Sequence, residues 1–358
     1  MAKGHRPLRL GIIGCGRATM VHHIPALLRL PEIRVVAVAD LEAVRRDAAA
    51  RRLGIDQRHD GADALLARAD LDAIAVATPT ATHADLGEQV LDSGRHLFIE
   101  KPLALDDGGC ARLEGAAARA AGCALVGHNA RWHRLVNEAR SAVRAGDLGP
   151  IKAIVSVYTH WHPDPASQPW HRERAKGGGV LFNDSVHHFD LWRHLLGTEV
   201  DEVYARTRST STYDDDTSLV HARLAGGVLA SLTMSFTTAP ASTVDVFGEA
   251  GRLSVSMYRS DGLRFMPHST YEGSLGWRAR TLARGLAGVP RMLAAAAGGG
   301  EFDRTYAAMW RHFADCAAGR STPACTIADG RAAVDVARAA IDSLARGGPA
   351  GVRRAGAA

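Results

Sequence analysis

The sequence has few cysteines, and they are poorly placed for cross-links. Five cysteines are scattered over 358 residues, and no two of them form a C-x-x-C pair. An odd and dispersed set is not typical of a disulfide framework or of a zinc site. His160 and His162 stand close together, but no cysteine or carboxylate accompanies them at the usual ligand spacing. We therefore predict neither disulfides nor a bound metal.

Long apolar runs and blocks of like charge are also missing. No window reaches the roughly 18 consecutive apolar residues of a membrane-spanning helix, and the first apolar segment is too short for a secretory signal. Arginines alternate with acidic residues, so the net charge of +5 is spread along the chain. These absences predict a cytoplasmic protein with no membrane or nucleic-acid partner. A phosphate-bearing cofactor or substrate would suit the positive surplus.

The first third of the sequence alternates short β-branched runs with alanine-rich stretches. This rhythm is typical of βαβ units and predicts an α/β fold, with a doubly wound parallel sheet of the Rossmann type over residues 1–128. The predicted strands are Leu8–Ile13, Val35–Ala39, Ala73–Ala77, His96–Ile99 and Ala124–Val126. Helices are predicted to begin near Thr19, Leu41, Thr82 and Asp106.

The rhythm changes after residue 128, where turn signals such as Gly226-Gly227 separate neighbouring strands. This pattern predicts an α+β domain with an open, mainly antiparallel sheet over residues 129–358. Its predicted strands are Ile151–Tyr158, Val200–Thr207, Leu219–Leu224, Val228–Phe236 and Thr243–Phe247. Helices are predicted over 135–145 and, near the domain junction, over about 329–344. We interpret Arg278–Gly300, which contains Pro290, as a loop or short helices.

A glycine-rich turn follows the first predicted strand. Gly14 and Gly16 would let the backbone approach a pyrophosphate at a helix N-terminus, although Thr19 occupies the third glycine position of the dinucleotide fingerprint. Asp40 ends the second strand, where a carboxylate accepts hydrogen bonds from ribose hydroxyls and repels the additional phosphate of NADP. We therefore expect a dinucleotide cofactor, with NAD favoured over NADP.

Two further motifs lie where predicted strands end. Thr78-Pro79 follows one strand, and Glu100-Lys101-Pro102 follows the next. A lysine at this edge can donate a charge-assisted hydrogen bond to a substrate oxygen, although an ordinary surface ion pair between Glu100 and Lys101 explains these residues equally well. The candidate cofactor-binding residues are Gly14, Gly16, Arg17, Ala18, Asp40, Thr78, Pro79, His83, Glu100 and Lys101.

The motifs GIIGCG, VVAVAD, ATPTATHADL, EKPLAL, GGGVLFNDSVHHFDLWRHLLG and GVLASLTMSF occur in this order along most of the chain. Together they resemble the Gfo/Idh/MocA family of NAD(P)-dependent sugar and cyclitol oxidoreductases. The resemblance implies a Rossmann domain followed by a domain whose open sheet covers the active site and commonly mediates oligomers, here a homodimer or homotetramer. It also implies that Lys101 is catalytic.

A cluster of polar residues follows Gly177-Gly178-Gly179. Asn183 and His187 have the four-residue spacing of the family's acid and histidine, with Asn in place of the usual Asp, and are the further catalytic candidates. Asp184 and His188 share this spacing on a neighbouring helix face, so His188 is a competitor of His187. For Asp190 both substrate binding and helix packing remain open. The candidate substrate-binding residues are Lys101, Asn129, Asn183, Asp184, His187 and Trp170.

The predicted function is hydride transfer between a nicotinamide and a secondary alcohol or ketone of a sugar, sugar nucleotide, amino sugar or cyclitol. Lys101 and His187 would act on the reacting oxygen. The abundance of Ala, Arg and Gly is typical of a GC-rich genome and suggests a role in natural-product biosynthesis. The alternatives are an NAD-dependent glycosidase on the same scaffold and a non-catalytic NAD(P)-sensing regulator.

Overall fold

The structure is a computed structural model that describes residues 6–161, 169–259, 261–271, 273–297 and 300–354. At positions 284, 291, 294–297 and 300 only the backbone is described. The chain divides into two compact units. One comprises the described parts of Met1–Asn129 and Tyr306–Val334, and the other comprises those of Ala130–Thr305 and Asp335–Ala358. The segment 306–334, which the sequence analysis assigns to the second domain, therefore packs within the first unit.

A parallel sheet forms the centre of the first unit. Within the described residues it has six strands, ordered β3-β2-β1-β4-β5-β6, and all neighbouring pairs are parallel. The strands are β1 (Leu8–Ile13), β2 (Ile33–Ala39), β3 (Arg58–His59), β4 (Ala73–Val76), β5 (His96–Ile99) and β6 (Ala124–Val126). This order reverses between β1 and β4, and the crevice at such a switch point is where open α/β sheets bind ligands.

Helices connect these strands, as the βαβ pattern predicts. They are α1 (Ile24–Leu27), α2 (Ala43–Leu53), α3 (Ala62–Leu66), α4 (His83–Asp92) and α5 (Asp107–Arg119), and a π-helical turn over Thr19–His23 precedes α1. Asp106 caps α5, because its side chain accepts a hydrogen bond of 2.8 Å from the amide of Gly109. Strand β3 and helix α3 are not among the elements predicted from the sequence.

The second unit is built on a mainly antiparallel sheet. Its strand order within the described residues is β13-β12-β11-β7-β10-β9-β8-β14, and β7 and β10 are its parallel pair. The strands are β7 (Ile151–Trp161), β8 (Val200–Arg208), β9 (Thr217–Leu224), β10 (Leu229–Ser235), β11 (Thr237–Gly248), β12 (Gly251–Ser256), β13 (Leu263–Pro267) and β14 (Ala350–Gly351). Buried and exposed residues alternate along β9, so one face of the sheet is covered and the other is open. The predicted α/β fold class with two different sheets is confirmed.

Helices α6 (Arg134–Ala145) and α7 (Ser185–Leu196) belong to the second unit, and a π-helical turn over Val180–Asp184 leads into α7. Helix α7 packs on the covered face of the sheet, where the indole of Trp192 donates a 2.9 Å hydrogen bond to the hydroxyl of Ser156 on β7. Helix α6 confirms the predicted helix over 135–145.

The interpretation of Arg278–Gly300 as a loop or short helices is wrong. Helix α8 spans Leu275–Ala297 and contains Pro290 within it, and helix α9 spans Gly300–Ala317. The alanines, leucines and arginines of this segment are strong helix formers, and their summed propensity outweighs the roughly 3 kcal/mol penalty of one proline. The last helix, α10, spans Ile327–Arg346, close to the predicted bounds.

The segment 306–334 completes the core of the first unit. The rings of Trp310 and Phe98 stack with centroids 4.3 Å apart, and both side chains are fully buried. The amide of Val126 in β6 donates a 3.0 Å hydrogen bond to the carbonyl of Cys325, so the segment also lies along the edge of the sheet. The environment of Glu100 at the end of β5 therefore depends on residues about 200 positions further along the chain.

Candidate functional site

The turn after β1 can be formed only with glycine at position 14. Gly14 has a φ of +97°, and a Cβ there would lie 2.4 Å from the carbonyl oxygen of Ala77 at the end of β4. Its amide donates a 2.8 Å hydrogen bond to the carbonyl of Ala39 at the end of β2. The turn is thus fixed against both neighbouring strands, directly at the switch point of the sheet.

The residues after this turn begin a helix. A Cβ on Gly16 would meet no atom within 4 Å, so the backbone here borders open space. Arg17 and Ala18 form the first helical residues. The buried hydroxyl of Thr19 donates a 2.6 Å hydrogen bond to the carbonyl of Gly14. Thr19 therefore stabilises the turn from the position where the fingerprint has its third glycine.

Asp40 lies beside this loop at the carboxyl end of β2. Its two carboxylate oxygens accept hydrogen bonds from the amide of Cys15, at 2.7 Å, and from the amide of Glu42, at 2.8 Å. These bonds hold the carboxylate against the glycine turn, and each oxygen keeps a further lone pair that can accept a ribose hydroxyl. Burial, followed by the charge of Asp40, raises the pKa of the Cys15 thiol to about 12, so this thiol stays protonated.

Open backbone at Gly16, a glycine turn, a helix start and a carboxylate at the end of β2 fit a dinucleotide. Gly14, Asp40, Thr78 and Lys101 each follow the carboxyl end of a different strand of the parallel sheet, so the fold brings them to one edge. The structure thereby places most of the predicted cofactor-binding residues together within the first unit.

Thr78 and His83 order the segment after β4. The hydroxyls of Thr78 and Thr82 are 2.7 Å apart. The ring nitrogens of buried His83 lie 2.8 Å from the carbonyl oxygens of Pro102 and Thr78. Burial lowers the pKa of His83, against the opposing effect of these two carbonyls. His83 therefore links the Thr78 segment to the chain that follows Lys101, while Pro79 is exposed beside it. The contact of His83 with the cofactor stays a prediction.

Glu100 is buried with only 7% of its surface exposed, so Glu100 and Lys101 are not an ordinary surface ion pair. One oxygen of Glu100 lies 3.0 Å from Nε2 of His23, and the other accepts the backbone amide of Lys101 at 3.0 Å. Burial alone would raise the pKa of this carboxyl, but the hydrogen bond from His23 and the charge of Lys101 outweigh burial and lower it. Glu100 is therefore an anion that fixes the backbone from which the Lys101 side chain departs.

The orientation of His23 follows from a third buried residue. The indole Nε1 of Trp310 donates a 3.1 Å hydrogen bond to Nδ1 of His23, so Nδ1 is the acceptor and Nε2 carries the proton donated to Glu100. We call these residues the Trp310–His23–Glu100 relay. His23 and Trp310 could not be predicted as partners from the sequence, because 287 positions separate them and neither belongs to a motif.

In the second unit, Asp215 organises the glycine-rich segment before α7. Its carboxylate accepts the amide of Leu181 at 2.7 Å and contacts the guanidinium of Arg174 at 2.9 Å. Gly179 has a φ of +76°, and a Cβ there would lie 2.3 Å from Asp215. Glycine is thus required where the chain turns into the helix. Burial raises the pKa of Asp215 despite these contacts.

Asn183, Asp184 and His187 lie at the start of this helical segment. The side-chain amide of Asn183 donates a 3.3 Å hydrogen bond to the Asp184 carboxylate, and Asn183 itself is buried. His187 is partly exposed, whereas only 2% of the surface of its competitor His188 is accessible. Burial lowers the pKa of His188 to about 4, against the opposing charge of Asp184. Of the two neighbouring histidines, His187 is the one that solvent reaches.

Asp190 forms a buried salt bridge. Its two oxygens lie 2.5 and 2.8 Å from Nη2 and Nε of Arg131, and both side chains are almost fully buried. A carboxylate engaged in this bidentate way supports the helix-packing interpretation of Asp190. Asn129, the first residue of the short turn Asn129–Trp132 that also contains Arg131, is buried as well.

Trp170 is partly exposed in the short turn Pro169–Arg172. A Cβ on Gly178 would lie 2.3 Å from its carbonyl oxygen, so the glycine-rich segment and the Trp170 turn are in close backbone contact. The second unit therefore brings Trp170 near the segment that carries Asn183. Of the two histidines at positions 160 and 162, for which no metal is predicted, His162 lies outside the described residues. Within the part of the chain that is described, no group of three metal-ligating side chains occurs, and no helix is long and apolar enough to cross a membrane.

The strand order, the glycine turn at the switch point and the carboxylate after β2 define a dinucleotide-binding domain. Comparison with known families agrees with this class. Residues 8–128 match the oxidoreductase family with an NAD-binding Rossmann fold, and residues 136–254 match the GFO/IDH/MocA C-terminal domain. The chain belongs to the Gfo/Idh/MocA family and is an NAD(P)-dependent oxidoreductase.

Individual relatives extend this comparison. An uncharacterized oxidoreductase, ORF334, of Rhizobium meliloti is 30% identical over 252 residues, which cover 70% of this chain and 74% of the relative. The scyllo-inositol 2-dehydrogenase (NAD(+)) of Bacillus subtilis is 25% identical and covers 96% of this chain and 95% of its own. The solved structure of GenD2 from gentamicin A biosynthesis, in complex with NAD, is 23% identical, with a TM-score of 0.81 and 98% of each chain covered.

Proposed function

We propose that the protein is an NAD-dependent dehydrogenase acting on a secondary alcohol of a sugar, cyclitol, amino sugar or sugar nucleotide. The observation that carries this proposal is the buried Glu100 beside Lys101, at the sheet edge that also holds the glycine turn. An inositol dehydrogenase that matches nearly the whole chain supports the substrate class.

Asp40 is the basis for proposing NAD over NADP. The carboxylate is held by two backbone amides beside the glycine turn, so it cannot easily turn away from a ligand there. It would accept ribose hydroxyls and repel an additional phosphate. Gly14, Gly16, Arg17, Ala18, Asp40, Thr78 and Pro79 are the residues proposed to hold the cofactor. When bound, the nicotinamide supplies or accepts the hydride.

Lys101 is proposed to hydrogen-bond the reacting oxygen of the substrate. Its ammonium would stabilise negative charge that develops on this oxygen, as a fixed donor does in an oxyanion hole. The bond from the Lys101 amide to Glu100 fixes the backbone, so less positioning is left to the flexible side chain.

His187 is proposed to take the hydroxyl proton in oxidation and to return it in reduction. It is the solvent-reached histidine of the neighbouring pair, and a neutral imidazole can accept a proton near neutral pH. Asn183 would orient the site through hydrogen bonds but, unlike the usual Asp of the family, would not stabilise the protonated imidazole by charge. Asp184, Asn129 and Trp170 are proposed to bind substrate hydroxyls and the sugar face.

The assembly is proposed to be a homodimer or homotetramer. The open face of the second sheet exposes Leu219 and Leu229, which would be covered in such an oligomer. Light scattering measures the mass directly.

The function is tested by absorbance at the NADH band. The wild type is incubated with NAD or NADP and with inositols, free sugars, amino sugars and nucleotide-linked hexoses. His187→Ala is the test variant, and His268→Ala, which alters an exposed histidine after β13, is the matched control. The proposal expects turnover with one substrate class, faster with NAD, retained in His268→Ala and lost in His187→Ala. Hydrolysis without net NADH would instead indicate a glycosidase, and cofactor binding with no turnover a sensor.

A further inference from the structure

A cavity of about 360 Å³ lies between helix α8 and the edge of the second sheet. It is bounded by β12, β13, the turn between them and the first half of α8. Its polar lining includes Arg252, Arg259, Arg264, Ser254 and Thr281. We call it the α8 cavity. Sites for small molecules in proteins have volumes from about 300 Å³ upward, so the α8 cavity is large enough to hold one.

Two glycines of α8 determine how the helix lies on the sheet. A Cβ on Gly288 would lie 3.2 Å from the Cβ of Asp261, so the helix is close to the turn between β12 and β13 there. A Cβ on Gly285 would meet no atom within 4 Å, although Gly285 lines the cavity. Trp277 and Thr281 precede Gly285 at four-residue spacing and line the cavity with it. The cavity therefore runs along one side of the helix, where glycine leaves space unfilled.

The α8 cavity lies on the face of the sheet opposite to α7. Helix α7 donates a hydrogen bond to Ser156 of β7, which is paired with Val244 of β11, and Val244 is paired with Val255 of β12. Paired residues share a face of a sheet, and successive residues of a strand alternate between the faces. Ser254 and Arg252 therefore extend from the other face of β12. The cavity is thus separate from the candidate site that α7 carries.

Positive charge exceeds negative charge around this cavity. Arg259 donates hydrogen bonds of 2.9 and 3.0 Å to the two oxygens of Asp261. These bonds, with a smaller contribution from the charge of Arg264, lower the pKa of Asp261, so this carboxyl is an anion. Nε of Arg252 lies 3.7 Å from Asp245, which is beyond hydrogen-bond distance. Arg264 forms no salt bridge among the described residues. Three guanidinium groups therefore face two carboxylates, and both carboxylates already have a partner.

The lining also contains more hydrogen-bond donors than acceptors. Besides the three guanidinium groups, it includes the hydroxyl of Thr281 and the indole of Trp277. Asp261 is the one acidic residue of the lining among the described residues, and both of its oxygens are engaged. A neutral sugar would leave the excess positive charge without a partner. A phosphate group fits better, because it is an anion whose several oxygens accept hydrogen bonds from guanidinium groups.

We propose that the α8 cavity binds a small phosphate-bearing anion. The phosphate oxygens would accept hydrogen bonds from Arg252 and Arg264 on the sheet and from Thr281 on the helix, so the bound anion would connect α8 to β12 and β13. This site does not depend on the proposed dehydrogenase function. It also lies at the β13 edge of the sheet, away from β9 and β10, whose exposed leucines are proposed to be covered in an oligomer.

The test is isothermal titration of the full chain with pyrophosphate and, separately, with AMP. Saturating NADH is present throughout, so that the dinucleotide site is filled and cannot take up either probe. The test variant is Arg264→Gln. The matched control is Arg278→Gln, which removes an exposed arginine of α8 that is not part of the cavity lining. Circular dichroism and turnover with NAD verify that both variants are folded, since neither residue belongs to the proposed active site.

The proposal expects the wild type to bind one equivalent of pyrophosphate. Arg264→Gln should weaken this binding about tenfold or more, because a charge-assisted hydrogen bond is lost, whereas Arg278→Gln should leave it unchanged. Pyrophosphate should also raise the melting temperature of the wild type more than that of Arg264→Gln. The proposal is overturned if the wild type binds neither probe. It is also overturned if the two variants bind alike, because the anion then responds to surface charge in general.

The two probes distinguish the sources of the phosphate group. AMP carries a ring that can stack on Trp277, whereas pyrophosphate carries none. If the natural ligand is a phosphorylated ring compound, AMP should bind more tightly than pyrophosphate, and Trp277→Leu should remove this difference. If the natural ligand is a free phosphate anion, Trp277→Leu should leave the binding of both probes unchanged. Both results require that Arg264→Gln weakens binding.

Discussion

The imidazole of His23 donates a 3.0 Å hydrogen bond to the carboxylate of Glu100. Both residues belong to the first unit, and only 2% of the surface of His23 is exposed. Trp310 fixes the tautomer of His23, and Glu100 in turn accepts the amide of Lys101. The proposed catalytic lysine thus extends from a backbone that three buried side chains hold in place.

Removing His23 from the Trp310–His23–Glu100 relay should slow catalysis without affecting cofactor binding. His23→Leu removes one of the two hydrogen bonds to Glu100, so the pKa of Glu100 rises and its carboxylate holds the Lys101 backbone less firmly. We expect kcat to fall about tenfold or more, with an unchanged KM for NAD and an acid limb of the kcat pH profile shifted to higher pH. His23→Gln, which can donate to Glu100 and accept from Trp310, should restore most of the activity. Equal loss in both variants would contradict a positioning role.

Gly14 and Gly16 should respond differently to alanine. In Gly14→Ala the new Cβ meets the Ala77 carbonyl at 2.4 Å and the residue keeps a φ of +97°, so the first unit should lose about 2 kcal/mol of stability or more. In Gly16→Ala the Cβ enters open space, so the melting temperature should stay near that of the wild type while NADH binding weakens. Thermal melts and NADH fluorescence titrations measure the two effects. A stable Gly14→Ala variant would disprove the assigned turn.

Asp190 should act through stability. Asp190→Asn removes the charged half of the buried salt bridge to Arg131, and we expect a loss of about 3–5 kcal/mol in the free energy of unfolding. Glu138→Gln is the control, because it removes the exposed partner of Arg134 four residues away, a pair worth about 0.5 kcal/mol or less. Urea titration gives both values. A stable Asp190→Asn variant with a raised substrate KM would instead assign Asp190 to substrate binding.

Acid should destabilise the fold through its buried histidines. Burial lowers the pKa of His188 to about 4, and burial together with nearby arginines lowers that of His194 to about 4. In the unfolded chain these groups bind protons below about pH 6.5, whereas the folded chain keeps them neutral until about pH 4. The contribution of each histidine to the free energy of unfolding is therefore fully present above pH 6.5 and is lost as the pH falls from 6.5 to about 4.

The variant His188→Gln checks this dependence. Between about pH 6 and pH 5 the free energy of unfolding should fall less steeply in the variant than in the wild type. The two slopes should differ by about 1.4 kcal/mol per pH unit. Urea titrations at several pH values measure the slope. An unchanged slope would show that His188 is protonated in the folded protein.

Local patterns predict the first sheet well, because its strands are short buried runs and its glycine turn has a specific chemical purpose. The position of Asp40 beside the glycine turn could be predicted, since a parallel sheet brings all strand ends to one edge. The two-residue strands β3 and β14 have too few residues to produce a periodic pattern. Pro290 and several glycines concealed α8, whose leucines and arginines form a continuous helix.

Contacts between distant parts of the chain could not be predicted from the sequence. Arg131 and Asp190 are 59 positions apart, and each alone resembles a substrate-binding residue. His23 and Trp310 gave no signal for the same reason. Glu100 was ambiguous because its burial, which distinguishes an anchoring anion from a surface ion pair, depends on how the segment 306–334 packs in the first unit.

The central claim is that Lys101 and His187 act on the same substrate oxygen. The most direct test measures kcat for Lys101→Ala, His187→Ala and the double variant, beside Lys152→Ala and His268→Ala as exposed controls. The account predicts that each single variant loses about 100-fold or more in kcat while NADH binding is retained, that the double variant loses less than the product of the two, and that the controls remain active. Near-normal turnover in either single variant would contradict it and remove that residue from the mechanism.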